Sequence, residues 1–148
     1  FEKVLDYIEL GKTQARLVIG GTRPEQHSKG YFVPPTLFSH VPADSRIARE
    51  EIFGPVICLI GFADDDDAVR IANDSEFGLS GSVYSSDVER AKRVAVRLRT
   101  GTIALNGAQW FDPESPFGGY KQSGLGREWG VEGLEDFLET KTFSYPAT

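Results

Sequence analysis

The chain has no methionine, one cysteine (Cys58) and two histidines (His27 and His40). A single thiol cannot form an internal disulfide, and it suits a reducing, cytoplasmic compartment better than an oxidising one. Cys58 stands between Ile57 and Leu59, whereas a nucleophilic thiol sits at an exposed loop or helix start beside a base, so it reads as core packing. His27 and His40 lie on polar segments with no metal-ligand spacing between them, and read as surface residues. The longest apolar run, Val56 to Ile60, is far too short to span a bilayer, and no signal-peptide pattern opens the chain. Basic residues are outnumbered, 16 against 22 acidic, for a net charge of −6. No basic patch of the kind nucleic-acid binders carry is visible. The acidic run Asp64 to Asp67 reads as a solvated helix start, because four adjacent carboxylates on a helix do not converge on one metal ion.

What is present describes a soluble globular chain, 40% hydrophobic and 26% charged over 148 residues. Phe1, Val4, Leu5 and Ile8 form the stripe of an amphipathic helix already under way, and with the absence of methionine this predicts a piece of a longer polypeptide. That helix is expected to end at Gly11 as C-cap. Ala15 to Gly20 reads as a short buried strand. Tyr31 to Phe38 reads as an edge or extended segment, since Pro34 and Pro35 remove ladder donors. Asp44 is expected to cap a short helix reaching Arg49. Val56 to Ile60 suits a strand covered on both faces. Asp64 to Asn73 is predicted helical, with Ala68, Ile71 and Ala72 inward. Ser80 to Tyr84 reads as a strand, and Ser86-Asp87-Val88-Glu89 as a capping box opening a helix whose inner face runs Val88, Ala91, Val94, Ala95, Leu98. Gly101 to Asn106 reads as a strand, Val131 to Phe137 as a last helix, and Thr140 to Tyr145 as an alternating strand. Strands alternating with helices predict an α/β fold with a mainly parallel sheet and flanking helices.

The stretch Ser115 to Glu128 carries four glycines among aromatics and cannot be a regular helix or strand. Its aromatics favour an ordered loop, and such loops are common places for function. Trp110, Phe111 and Phe117 line either an apolar pocket or an interface; the sequence leaves both open. Glu51, ahead of Gly54-Pro55 and an apolar run, could accept two hydrogen bonds from a vicinal diol such as a ribose, with Phe53 packing on a flat ring. The plainer alternative is a surface glutamate and a core phenylalanine.

Several motifs in order carry a family resemblance. They are Gly30-Tyr31-Phe32-Val33 with Pro35-Thr36, Glu50-Glu51-Ile52-Phe53-Gly54-Pro55-Val56, Asn73 followed by Phe77-Gly78-Leu79, Gly101-Thr102 leading to Asn106, Ser115 to Glu128, and Glu139-Thr140-Lys141-Thr142. Together they resemble the aldehyde dehydrogenase superfamily across essentially the whole chain; Phe77 stands where that family usually has tyrosine. The resemblance implies the C-terminal part of the catalytic domain over residues 1–138, with an oligomerisation strand and tail over 139–148. It implies oxidation of an aldehyde to a carboxylic acid through a cysteine thioester, with hydride passing to NAD or NADP. The nucleophile, the general base and the main cofactor fold would lie upstream, so no catalytic residue and no metal ligand is assigned here, and this segment alone is expected to be inactive. By position, Glu51 resembles the residue holding the nicotinamide-side ribose and Phe53 the one packing near the nicotinamide. Phe111 and Phe117 resemble substrate-pocket aromatics. The last strand resembles one that pairs with a neighbouring subunit in a homo-oligomer. Two alternatives stay open: a non-catalytic structural or interaction module on the same fold, and an acyl-thioester transferase using coenzyme A.

Overall fold

The computed structural model describes residues 1–24, 29–108 and 112–147. They divide into two compact units, Phe1–Ile71 and Ala72–Thr148.

In the first unit, helix α1 (Glu2–Gln14) packs against strand β1 (Arg16–Ile19) and helix α2 (Arg46–Arg49). Strands β1, β2 (Thr36–Ser39) and β3 (Val56–Cys58) form one sheet in that order. β1 pairs with β2 antiparallel and β2 with β3 parallel; the parallel pair is joined through α2, because parallel neighbours need a crossover. Register aligns Leu17, Phe38 and Cys58 in one row and Ile19, Leu37 and Ile57 in another. The first row meets a core of Val4, Ile8, Phe38, Val41, Ile47 and Ile52.

α1 does not stop at Gly11. The helix runs on to Gln14, and Gly11 is a buried packing position: a Cβ there would lie 2.5 Å from the Phe38 ring. Nor is Tyr31 to Phe38 an edge, because both prolines precede the strand proper and β2, starting at Thr36, occupies the middle of the sheet. Two further expectations of burial fail. β1 is largely exposed and so are Ile57 and Leu59, because helices cover only one face of this sheet within the described residues. Ser45, not Asp44, is the N-cap residue of α2.

Helix α3 (Asp65–Asn73) crosses the boundary between the units. Its acidic start is self-capping: Asp64 Oδ1 accepts from the Asp67 amide at 2.9 Å, and Asp67 accepts from the Ala63 amide at 3.1 Å and from the Arg70 guanidinium. The Ala63 amide first, then the Arg70 guanidinium, hold the Asp67 carboxyl below its usual range. The one buried residue of α3 is Val69; of the expected inner face, Ala68 and Ile71 are half-buried and Ala72 is exposed.

In the second unit, β5 (Ser80–Val83) and β6 (Thr102–Leu105) are parallel and joined by helix α4 (Val88–Ala95), a βαβ unit. Ala91 and Ala95 are the buried face of α4. Asp87 is its cap, accepting from the Arg90 amide at 3.0 Å, so the cap falls one residue later than the sequence box suggests. The two-residue strands β4 (Phe77–Gly78) and β7 (Tyr120–Lys121) pair antiparallel, and helix α5 (Gly130–Glu135) follows. The expected mainly parallel sheet is therefore, among the described residues, three small sheets, two of whose four strand pairings are antiparallel. Over the stretch expected as a strand, Thr140 to Tyr145, this chain by itself forms no ladder: residues 138–147 carry no helix or ladder, and Phe143 and Tyr145 are exposed. A strand exists through its ladder partner, and no described strand of this chain supplies one.

Candidate functional site

Glu51 and Phe53 lie on the turn that joins α2 to β3, and each neighbour fixes it. Ile52 between them is buried in the core. Gly54 follows because no side chain fits: a Cβ would sit 2.6 Å from Val4 Cγ1. The Val56 amide donates to the Gly54 carbonyl at 2.7 Å and the Thr36 amide to the Pro55 carbonyl at 2.8 Å, which locks the turn to the sheet. On this scaffold Phe53 is held at φ 60°, a left-handed conformation that costs a bulky residue on the order of 1–3 kcal/mol. The result is an aromatic ring 84% exposed instead of joining the core. The plainer sequence alternative of a core phenylalanine is thereby overturned. Phe53 lines an open cleft of about 580 Å³ with Phe1, Val4, Tyr31, Phe32 and Pro55.

Glu51 is exposed, and no described residue hydrogen-bonds its carboxylate; only its carbonyl is engaged, by Lys3 Nζ at 2.8 Å. Its neighbour Glu50 behaves oppositely. Arg46 grips the Glu50 carboxylate in two places, Nε to Oε1 at 2.9 Å and Nη2 to Oε2 at 2.8 Å, and the Tyr7 hydroxyl donates to the same group. The Arg46 guanidinium, followed by the Tyr7 hydroxyl, brings the Glu50 carboxyl down to about 2. One glutamate is thus committed to structure and the adjacent one left open. A free carboxylate beside a presented aromatic ring suits a ligand with a vicinal diol next to a flat ring.

The glycine-rich loop is ordered, and most of its motif residues build scaffold. Phe117 and Glu128 exchange two backbone hydrogen bonds of 2.7 Å, and the Phe117 ring packs on Trp129 at 5.5 Å between centroids. Phe117 is half-buried in the second unit. Lys121 donates to the Asn73 and Ser75 carbonyls at 2.8 Å each, capping the end of α3 where the dipole favours a cation. Arg127 Nη1 holds the Gly119 and Gly126 carbonyls at 3.0 and 2.7 Å. Gly101 is required by close approach: a Cβ there would fall 1.6 Å from the Gly118 carbonyl oxygen. Asn73 bridges the Arg97 carbonyl and the Arg99 amide, and Asn106 bridges both backbone groups of Ser85. The loop's surface encloses a smaller cleft of about 220 Å³ lined by Leu79, Phe117, Leu125, Arg127 and Asp136 among others.

The structure therefore brings Glu51 and Phe53 together on one turn and sets Phe117 on the other unit; Phe111, with Trp110, lies outside the described residues. Sequence reasoning missed Glu50, Arg46 and Tyr7. Its one available signal was the Arg46–Glu50 spacing of a helical ion pair. Cys58 is half-buried, donates to the Ile47 carbonyl at 3.4 Å and has its thiol pKa pushed up by burial, as a packing cysteine should. Among the described residues no cluster of His, Cys, Asp and Glu could hold a metal ion, and no helix is long and apolar enough to cross a membrane.

Residues 1–143 match the aldehyde dehydrogenase family. The chain is 54% identical over 143 residues to 3-succinoylsemialdehyde-pyridine dehydrogenase of a Pseudomonas species, covering 95% of this chain and 30% of that one. It is 50% identical over 141 residues to geranial dehydrogenase of Castellaniella defragrans, covering 95% and 29%. Among solved structures, a Mycobacterium tuberculosis aldehyde dehydrogenase complexed with NAD+ matches with a TM-score of 0.87 at 50% identity, over 92% of this chain and 28% of that one. A cysteine-to-alanine mutant of Pseudomonas syringae aldehyde dehydrogenase C, complexed with NAD+ and octanal, matches with a TM-score of 0.90 at 50% identity, over 95% and 29%. The chain spans about 30% of the length of these relatives. These matches show it plainly: the chain belongs to the aldehyde dehydrogenase family.

Proposed function

We propose that this chain is the C-terminal part of the catalytic domain of an NAD(P)-dependent aldehyde dehydrogenase that converts an aldehyde to a carboxylic acid through a cysteine thioester. The observation that carries this reading is the Glu51–Phe53 turn, where a carboxylate with no hydrogen-bond partner among the described residues and a ring held out by a left-handed backbone stand side by side. Glu51 accepts the two hydroxyls of the nicotinamide-side ribose, and Phe53 packs near the nicotinamide ring. When bound, the dinucleotide supplies the hydride acceptor. The residues of this chain orient it: Glu51 through charge-assisted hydrogen bonds, Phe53 by offering a flat apolar surface. Phe117, braced by Trp129, forms part of the substrate-pocket wall together with Phe111. Residues 140–145, whose aromatic and small polar residues alternate and which find no ladder partner among the described residues, add as a strand to a sheet of a neighbouring subunit.

The test is a comparison of the 148-residue chain with the longer protein that contains it. The longer protein forms NADH or NADPH with an aldehyde and releases the free acid without coenzyme A; the isolated chain does not. Release of an acyl-coenzyme A product in place of the acid would assign the scaffold to acyl transfer. Absence of any nucleotide reduction by the longer protein across aliphatic and aromatic aldehydes would favour a non-catalytic module.

A further inference from the structure

The turn bearing Glu51 is gripped from two helices by residues that hydrogen-bond Glu50 and the Glu51 backbone rather than the Glu51 carboxylate. Glu50 accepts three hydrogen bonds, two from Arg46 on α2 at 2.9 and 2.8 Å and one from the Tyr7 hydroxyl on α1. One turn earlier on α1, Lys3 Nζ donates to the Glu51 carbonyl at 2.8 Å. The two cations flank the Tyr7 ring, Lys3 at 5.6 Å and Arg46 at 5.8 Å from its centroid. Lys3, Tyr7 and Arg46 thus act together on two consecutive residues. An isolated exposed ion pair contributes little, but a bidentate Arg–carboxylate pair inside a network fixes geometry. Fixing geometry is what this turn needs. The Glu51 carboxylate has no described partner to anchor it, and Phe53 sits in a conformation that relaxes once the surrounding backbone is released.

We propose that Lys3, Tyr7, Arg46 and Glu50 form a positioning clasp that holds the Glu51–Phe53 turn in the conformation that aligns the nicotinamide-ribose for hydride transfer. This rests on the reading of Glu51 given above. None of the four touches the reacting atoms; they act through the backbone of residues 50 and 51. Opening the clasp leaves only a fraction of molecules with the turn aligned, and the rate scales with that fraction. Binding of the dinucleotide as a whole is expected to persist.

The experiment is a double-mutant cycle in the full-length enzyme: Glu50→Gln and Tyr7→Phe, each alone and combined with Glu51→Gln. Single-turnover NADH formation, the NAD+ dissociation constant and the thermal midpoint are read for each. Glu50→Gln is expected to slow hydride transfer roughly tenfold, the scale of one lost charge-assisted hydrogen bond, with Tyr7→Phe milder and NAD+ affinity within about threefold of wild type. Both effects should be clearly smaller when Glu51 is already Gln, leaving only what the clasp contributes through Phe53. The clasp is refuted if Glu50→Gln slows both backgrounds equally, or if it leaves the rate unchanged while Glu51→Gln alone lowers it. If Glu51→Gln alone changes nothing, the ribose assignment fails first and the clasp with it. Should Glu50→Gln fail to fold, Tyr7→Phe, which removes one hydroxyl and keeps the ring, carries the same cycle and is decided by the same outcomes.

Discussion

Replacing Gly101 by alanine is the sharpest perturbation of the second unit. Gly101 lies just before β6, and its amide points at the Gly78 and Leu79 carbonyls, 3.1 Å from each. A Cβ at this position would lie 1.6 Å from the Gly118 carbonyl oxygen, 2.9 Å from its carbon and 3.3 Å from the Leu79 oxygen. Backbone lies on both sides, so no flexible side chain can yield. To reach even 3.0 Å, the Gly118 carbonyl must retreat by about 1.4 Å. Gly118 is one residue from Phe117, whose two 2.7 Å hydrogen bonds to Glu128 close the loop, and two residues from Tyr120 in β7. A shift of that size breaks at least one of these pairings. Overpacking of about 1–3 kcal/mol plus one or two backbone hydrogen bonds at about 1 kcal/mol each gives a destabilisation on the order of 2–5 kcal/mol. Urea unfolding reads the total, and hydrogen exchange at the Phe117 and Glu128 amides reads its location. A variant with the wild-type midpoint and undiminished protection at these two amides would show that Gly101 is not there for close approach.

Two further outcomes follow from the first unit. Gly11→Ala gains helix propensity of about 1 kcal/mol but drives a methyl to 2.5–3.0 Å of three atoms of the Phe38 ring, which is fully buried. With overpacking of about 1–3 kcal/mol, urea unfolding should show a net loss of up to about 2 kcal/mol; a more stable variant would mean the ring has room to move. The second outcome concerns Glu50, whose carboxyl is depressed from 4.5 to about 2, chiefly by the Arg46 guanidinium. A depressed carboxyl contributes stability that is fully present above its unfolded value and is lost as pH falls through its folded one. Stability should therefore fall between about pH 4.5 and 2, and Glu50→Gln should flatten that part of the curve; equal slopes in both proteins would show that the Arg46–Tyr7 grip does not persist in solution.

How far the sequence revealed this molecule depends on whether a feature is local. The α1 stripe, the α3 and α4 helices and the β6 strand were legible because periodicity and caps act within a few residues. The end of α1 was not, since Gly11 serves Phe38, far along the chain, rather than its own helix terminus. β4 and β7 are two residues each and pair Phe77 with Lys121, which leaves no periodic trace. Thr140 to Tyr145 shows strand alternation without a described partner, and alternation alone makes no ladder. At the site, Glu51 and Phe53 stood out because they sit in a motif of the family. Glu50 looked like its twin, and only the approach of Tyr7 from α1 and the Arg46 fork separate the structural glutamate from the open one.

The role proposed for Glu51, holding the nicotinamide-ribose for hydride transfer, is reached directly by one measurement. In the full-length enzyme, Glu51→Gln keeps an acceptor oxygen but loses the charge, so single-turnover NADH formation should slow roughly tenfold. With an aldehyde deuterated at the carbonyl carbon, a primary isotope effect larger than in wild type should appear on the steady-state rate. On the proposed thioester route, addition of the nucleophilic cysteine to the aldehyde comes before hydride transfer and should proceed as before. A single-turnover rate equal to wild type, with no increase in the isotope effect, would show that Glu51 does not position the ribose.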